Sequence, residues 1–480
     1  MRKALFLLAL LLTTFWGVAQ SSSAIEATVE VNRTHCLVRF VESIAGDGDA
    51  ATRKAFEQSA FNTPAVQQTL RRYNQLDKDV TYTRTGYPSE RLGSLGNSWG
   101  LYLTASAEAE SLADLQRRAV GILPNEVLED LRQVQQQLDP AFEALLWQPY
   151  QAELQKVKTA YADFLRDKKL LQHFVRLRTF YGSVWPDELP YRIMLNPLPG
   201  QGRFFSTRAT VANNTVLLSC YPASRDFVFA SALMFHEMSH SLSVQQRLAL
   251  QQNLDRWYAN NKSPNRKYAY YLMEEGLATA AGEWIYKQQT GQTETDNWYN
   301  DDYINRYAKA MYPLVERYID TGRAIDSLFA ASAIATFDAT FPTATIDYTN
   351  LFRRVLYWTD SDDPDLTLIP FRETFNSTLS MTAAPIMKGE AALKVAQTGS
   401  YTPVIIITNH HAETLAYLRQ QLPALRPHRL RPEKSFVLST IGLNGPLLLI
   451  NAHSAEQVGT AAQHLSQQKR IDPKHPLWFF

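Results

Sequence analysis

Residues 233–240 read Leu233-Met234-Phe235-His236-Glu237-Met238-Ser239-His240. Ser224 offers a helix N-cap and Asp226 an acid in the first turn, which predicts a helix running to about Val244. On that helix His236 and His240 stand one turn apart on the same face. Three strands precede it. Tyr191 to Asn196 reads as a strand stopped by Pro197 and Pro199. Phe204 to Ala212 and Thr215 to Ser219 read as a hairpin around Asn213-Asn214, since Asn tolerates the left-handed region. Helices are expected after it, over Arg247 to Ala259 and Tyr268 to Gln288. A sheet followed by several helices is an α+β arrangement.

Two imidazoles at i and i+4 can turn toward one metal ion at about 2.0–2.1 Å, the zinc–nitrogen distance. Glu237 lies round the helix from them. It is poorly placed as a ligand and well placed as the general base that takes a proton from an attacking water. A catalytic zinc usually has three protein ligands. Ser243 and Gln246 stand where a metzincin would carry Gly and His, so the third ligand is sought elsewhere. Met273-Glu274-Glu275-Gly276-Leu277-Ala278-Thr279, on a later helix, offers it.

H-E-x-x-H followed by E-G-x-A on a second helix resembles the gluzincins, which include thermolysin-like and aminopeptidase N-like peptidases. The chain is also similar to secreted bacterial branches of that superfamily. The resemblance covers roughly residues 190 to 290. It implies zinc held by His236, His240 and Glu275, with Glu237 as base. It also implies a zincin-like sheet whose edge strand binds extended peptide, here the 204–219 hairpin. An oxyanion donor is implied after the Glu helix, with Tyr307, Tyr303 and Tyr312 as candidates. Two departures stand out. The Gly-x-Met-Glu-Asn motif that aminopeptidases use for substrate N-termini is absent, and Thr279 replaces the thermolysin-like acid that orients a zinc histidine. Support for the ligands is then expected elsewhere, with Glu274 and Glu283 as candidates against the plainer reading of solvated helix-face acids.

The 480 residues are too many for one small core. Hydrophobic residues make up 45% of the chain and charged ones 20%, the balance of a folded globular protein. Arg2-Lys3, the apolar run Ala4 to Trp16 and the small residues Gly17-Val18-Ala19 read as a signal peptide over 1–19. The run is shorter than the ~20 residues a bilayer needs. This predicts an exported chain, secreted or periplasmic, with no stable membrane insertion. Without residues 1–19, 46 basic residues face 47 acidic ones, so nothing suggests nucleic-acid binding.

Residues 20–175 are expected to be mainly helical after a strand over Ala27 to Phe40. Asn125 is a candidate cap for a helix interrupted at Pro140 and Pro149. The zincin-like domain is expected over 176–345, an irregular linker over 346–400, and a small α/β accessory domain over 401–480. Gly46-Asp47-Gly48-Asp49 is a loop without the ligand spacing of an EF-hand. Cys36 and Cys220 could pair in an exported protein. His410-His411 and His453 read as surface residues. No Gly-x-Ser-x-Gly turn or phosphate-binding loop appears.

The pattern thus points to a zinc hydrolase acting on peptide or protein. Two alternatives stay open: an exported binding or scaffold protein that keeps the zincin fold without turnover, and a zinc hydrolase with a non-peptide substrate.

Overall fold

The computed structural model describes residues 25–89, 91, 95–375, 377, 379–399, 401–442 and 445–480. The expected signal peptide lies outside the described residues. The chain forms two units. The first takes in residues up to 257 together with 272–332, and the second 258–271 together with 333–480.

In the first unit, β1 (Ala27–Glu30), β4 (Tyr191–Pro197), β6 (Thr215–Cys220) and β5 (Thr210–Ala212) lie side by side in that order. The short β2 (Thr81–Thr83) and β3 (Leu95–Asn97) form a separate antiparallel pair. β1, β4 and β6 are parallel, with Ile193 opposite Val216, and β5 runs antiparallel along β6 as the edge strand. Ile193, Met194, Leu195, Val216, Leu217 and Leu218 are all buried. Such unbroken apolar runs are what strands covered on both faces require.

Several expectations need correction here. The strand over Ala27 to Phe40 ends at Glu30, and Arg33–Ala45 is a helix. Asn32 caps it by accepting from the His35 amide, and Cys36, Phe40 and Ile44 recur at helical spacing on its buried side. The strand over 204–212 shrinks to Thr210–Ala212. The Ser206 hydroxyl accepts from the Arg208 amide, a local turn that competes with ladder pairing. Pro140 and Pro149 do not break the helical run. A π-helical turn, Glu143–Trp147, lies between Asn125–Phe142 and Gln148–Asp167 and absorbs the mismatch. Asn125 is the first residue of its helix rather than the cap, which is Pro124. Cys36 and Cys220 are both buried and unpaired.

The helix that carries the histidines is Phe227–Val244. Its cap is Asp226, which accepts from the Phe229 amide, while Ser224 donates instead to the Phe204 carbonyl. The helix that carries Glu275 is Arg266–Thr290, closed by Gly291 at φ 81°. These two helices touch at Gly282. A Cβ there would lie 2.8 Å from the Ala232 carbonyl oxygen and 3.4 Å from the His236 Cβ. Glycine is therefore a condition of their approach.

The second unit is a six-stranded sheet in the order β12-β10-β11-β9-β7-β8. Its strands are β7 (Arg354–Thr359), β8 (Leu379–Ala383), β9 (Thr402–Ile407), β10 (Phe436–Gly442), β11 (Gly445–Asn451) and β12 (Leu477–Phe479). β8, β7, β9 and β11 are parallel, β10 runs antiparallel to β11, and β12 runs antiparallel to β10. The expected linker over 346–400 is thus corrected: it supplies two strands of this sheet, and β7 lies inside it. The prolines and the 360–364 turn disguise the segment, but Val355-Leu356-Tyr357-Trp358 is an apolar run buried throughout. Likewise the N-terminal region is not separate, since β1 pairs with β4. Among the described residues, no helix is long and apolar enough to cross a membrane.

A Gly282→Ala substitution should force the two helices apart and lower stability by about 1–3 kcal/mol, the usual cost of overpacking. Chemical denaturation checks this, and an unchanged midpoint would mean that the crossing has slack.

Candidate metal centre

The helix spacing places the two imidazoles as the sequence requires. The Nε2 atoms of His236 and His240 are 3.2 Å apart. Glu275 reaches across from the neighbouring helix, with Oε2 3.6 Å from His236 Nε2 and Oε1 3.7 Å from His240 Nε2. Ligands about 2.0–2.1 Å from a tetrahedral zinc stand roughly 3.3 Å from one another. The two imidazoles stand at that spacing, each faces one oxygen of the Glu275 carboxylate, and one donor atom from each of the three residues lies within 4.8 Å of the others. They are the one group of three or more His, Cys, Asp and Glu side chains among the described residues whose donor atoms converge in this way. Two imidazoles and one carboxylate are also a donor set suited to zinc and its neighbours in the first transition row. The residues therefore fit a divalent ion. Nδ1 of His240 is buried without a hydrogen-bond partner among the described residues, so no neighbour fixes its tautomer.

His236 and His240 side chains are 14% and 13% exposed, and Glu275 32%. They form part of the wall of a cleft of about 1040 Å³, which Glu237 also lines. β5 is another part of that wall, so the edge of the sheet borders the cleft that holds the donors.

The charges of the site are arranged as a competition between burial and attraction. Burial opposes ionisation of Glu275, but the neighbouring His236 and His240 outweigh it and hold its carboxyl at about 2. Burial also opposes charge on His236, but the neighbouring carboxylates of Glu275 and Glu237 lift its pKa above the ordinary value. At His240 burial prevails, offset only in part by Glu275, and the pKa falls to about 4. Burial raises Glu237 to about 7, with His236 pulling down and Glu275 pushing up. A carboxyl poised near neutrality can both take and return a proton at working pH.

The tyrosine expectation needs correction. Tyr307 is fully buried and its ring packs toward Gly276, where a Cβ would lie 3.2 Å from Tyr307 Cδ1. Tyr303 is buried, and Tyr312 donates to Glu316. None of these three lines the cleft. Tyr299 does: the negative charge of Glu275 adds to burial in holding its phenol well above the ordinary value, and its ring centroid is 6.1 Å from that of His236. It sits in the loop before the helix Asp302–Asp320. Trp298 anchors that loop, its amide donating to Asn305 Oδ1 and its indole to the Glu294 carbonyl. An aromatic pair in a loop beside a catalytic-type motif was the available signal.

Glu274 and Glu283 are not solvated helix-face acids. Glu274 meets the buried Arg91 guanidinium at 3.3 Å and accepts from Ser243. Arg91 also donates to Ser243 and to Gln246, at the end of the histidine helix. Glu283 is buried and accepts from the Glu294 amide, the backbone next to the tyrosine loop. Both acids thus hold scaffold around the donors. In the second unit the rings of His411 and His453 lie with centroids 3.9 Å apart, tilted by 39°, and His411 Nδ1 lies 2.8 Å from Asn451 Oδ1.

Comparison of the chain with protein-family models, curated proteins and solved structures gave no match.

A metal held by these donors must displace the proton that Glu275 and Glu237 stabilise on His236. Because that pKa is raised, protonation competes from a higher pH than for an ordinary histidine. Lowering the pH should therefore weaken zinc binding, by about tenfold or more between pH 7.5 and 5.5. Competition with a chromogenic chelator at several pH values measures this. A flat affinity would mean that His236 does not bind the metal.

Proposed function

We propose that this chain is an exported, zinc-dependent metallopeptidase with a zincin-like catalytic unit of gluzincin type. The observation that carries the reading is the triangle of His236, His240 and Glu275 donors beside a buried Glu237. A purely structural zinc site is usually closed by four protein ligands. Here three ligands face a large cleft, and a buried carboxyl stands next to them.

A zinc ion in this site would supply Lewis acidity to the attacking water and to the scissile carbonyl. The chain supplies the rest. Glu237 accepts a proton as the water oxygen bonds to the carbonyl carbon. It then delivers that proton to the amine nitrogen as the carbon–nitrogen bond breaks. Tyr299 donates its hydroxyl hydrogen to the oxygen on which negative charge develops, leaving Glu275 to the metal. β5 offers its outer edge to an extended peptide, so recognition runs through backbone groups with little demand on sequence. Trp298 and Leu233 give the same cleft apolar surface for side chains.

Hydrolysis of quenched fluorescent peptides by wild type, Glu237→Gln and Tyr299→Phe tests the assignment. Glu237→Gln should keep zinc and lose about 10²–10⁴ in kcat. Tyr299→Phe should lose about 10²–10³ in kcat with KM little changed. Zinc-loaded wild type that cleaves none of a diverse peptide library would instead favour a binding protein or a hydrolase of another substrate.

A further inference from the structure

A second cavity lies in the first unit at the carboxyl ends of β4 and β6. Its volume is about 380 Å³, at the small end of the roughly 300–1,000 Å³ of ligand pockets. Asn196 of β4 and Ser219 of β6, partners in the sheet register, both line it. Open α/β sheets bind ligands in the crevice outside such strand ends. Phe40, Trp99 and Leu103 give the cavity apolar walls.

Most polar groups around it are already committed. Ser43 donates to the Arg39 carbonyl and accepts from the Asp49 amide. Glu42 accepts from the Trp99 indole and pairs with Arg39. Asp49 caps the following helix through Ala51 and Thr52. Asn196 is the exception. It is 5% exposed, and neither its amide oxygen nor its amide nitrogen has a partner among the described residues. A side-chain amide offers one acceptor and two donors, and buried polar groups are nearly always paired. Both amide atoms are shielded from solvent, so an occupant carrying a hydrogen-bond donor and an acceptor pairs with them once the side chain turns into the cavity that Asn196 lines. Two exposed residues of opposite charge, Asp47 and Arg208, are also part of the lining. Arg208 uses one N–H on the Gly48 carbonyl and keeps further donors.

We propose that this cavity binds a free dipeptide as its zwitterion. The ammonium group pairs with Asp47 and the carboxylate with Arg208. Asn196 takes a hydrogen bond from a ligand N–H and gives one to a ligand carbonyl. The apolar walls accept a side chain, and the volume suits a molecule of this size rather than a folded segment. The inference stands on the cavity alone and not on the metal centre. Thr210–Ala212 lines both spaces, so an occupant would touch the strand that borders the cleft.

Isothermal titration with glycylglycine and with 5-aminopentanoate tests this. The second compound has the same charges and length without the peptide group. The titration is done on wild type and on Glu237→Gln, which separates binding from turnover. Glycylglycine should bind at least tenfold more tightly than 5-aminopentanoate to both proteins. Asn196→Leu should abolish that preference while its thermal midpoint stays the same or rises, because the amide makes no hydrogen bond to the described residues. Arg208→Ala should weaken both compounds. Equal affinity for the two compounds, no binding of glycylglycine, or binding unaffected by Asn196→Leu would overturn the proposal. So would a large fall in the thermal midpoint of Asn196→Leu, which would mean that the amide serves the fold through buried water.

Discussion

The close approach of two helices at Gly282 is the constraint on which the putting together of this site depends. Ala232 and His236 are one turn apart on the histidine helix, and both lie against the glycine. Any side chain there meets backbone, which cannot swing aside. With the helices in contact, Glu275, two turns before Gly282, faces the two imidazoles across a gap of less than 4 Å. Gly276 works in the same direction on the other side, since it lets Met311 and Tyr307 pack against the Glu helix. The E-G-x-A pattern is in this sense a packing statement as well as a chemical one.

The approach has an electrostatic consequence. It gathers Glu237, Glu275 and two histidines into a poorly solvated wall, where unpaired charge is costly. The protein answers by holding one acid ionised against the histidines and pushing the other toward neutrality. Two acids of the same wall thereby receive different jobs, as pairs of titratable groups in active sites commonly do. A divalent cation suits this wall, because it supplies positive charge that two neighbouring imidazoles can supply only by adding protons. Around it, the Arg91–Glu274 contact and the Glu283–Glu294 bond fix the ends of the flanking segments.

Much of the site was legible because it obeys local rules. His236, Glu237 and His240 are related by helix spacing alone; the need for a third ligand pointed to the 273–279 segment, and the resemblance of Glu-Gly-x-Ala to the gluzincin pattern pointed to Glu275 within it. The 213–214 turn, β4, β6, β9, β10, β11 and the helices His411–Gln421 and Ala455–Gln468 follow from patterning and turn chemistry, whereas β12 went unread. What escaped depended on long-range contacts. Tyr299 is set in place by a loop whose anchors, Asn305 and Glu294, are close only in the fold. Tyr307 sits on the helix expected to supply the donor, yet its face turns to the core. The helix Arg33–Ala45 was taken for strand because His35-Cys36-Leu37-Val38 is locally apolar enough for either. The cap at Asn32 and the burial spread over i, i+4 decide for helix. β7 was hidden because a strand buried on both faces shows no alternation.

The claim at the centre of this account is that three side chains from two helices hold one metal ion. Elemental analysis of protein purified without chelator, for wild type and for Glu275→Ala, measures it directly. The account predicts about one zinc per wild-type chain and a large loss in the variant. Wild type that carries no metal and takes up none, or a Glu275→Ala variant that retains its zinc through dialysis, would contradict it.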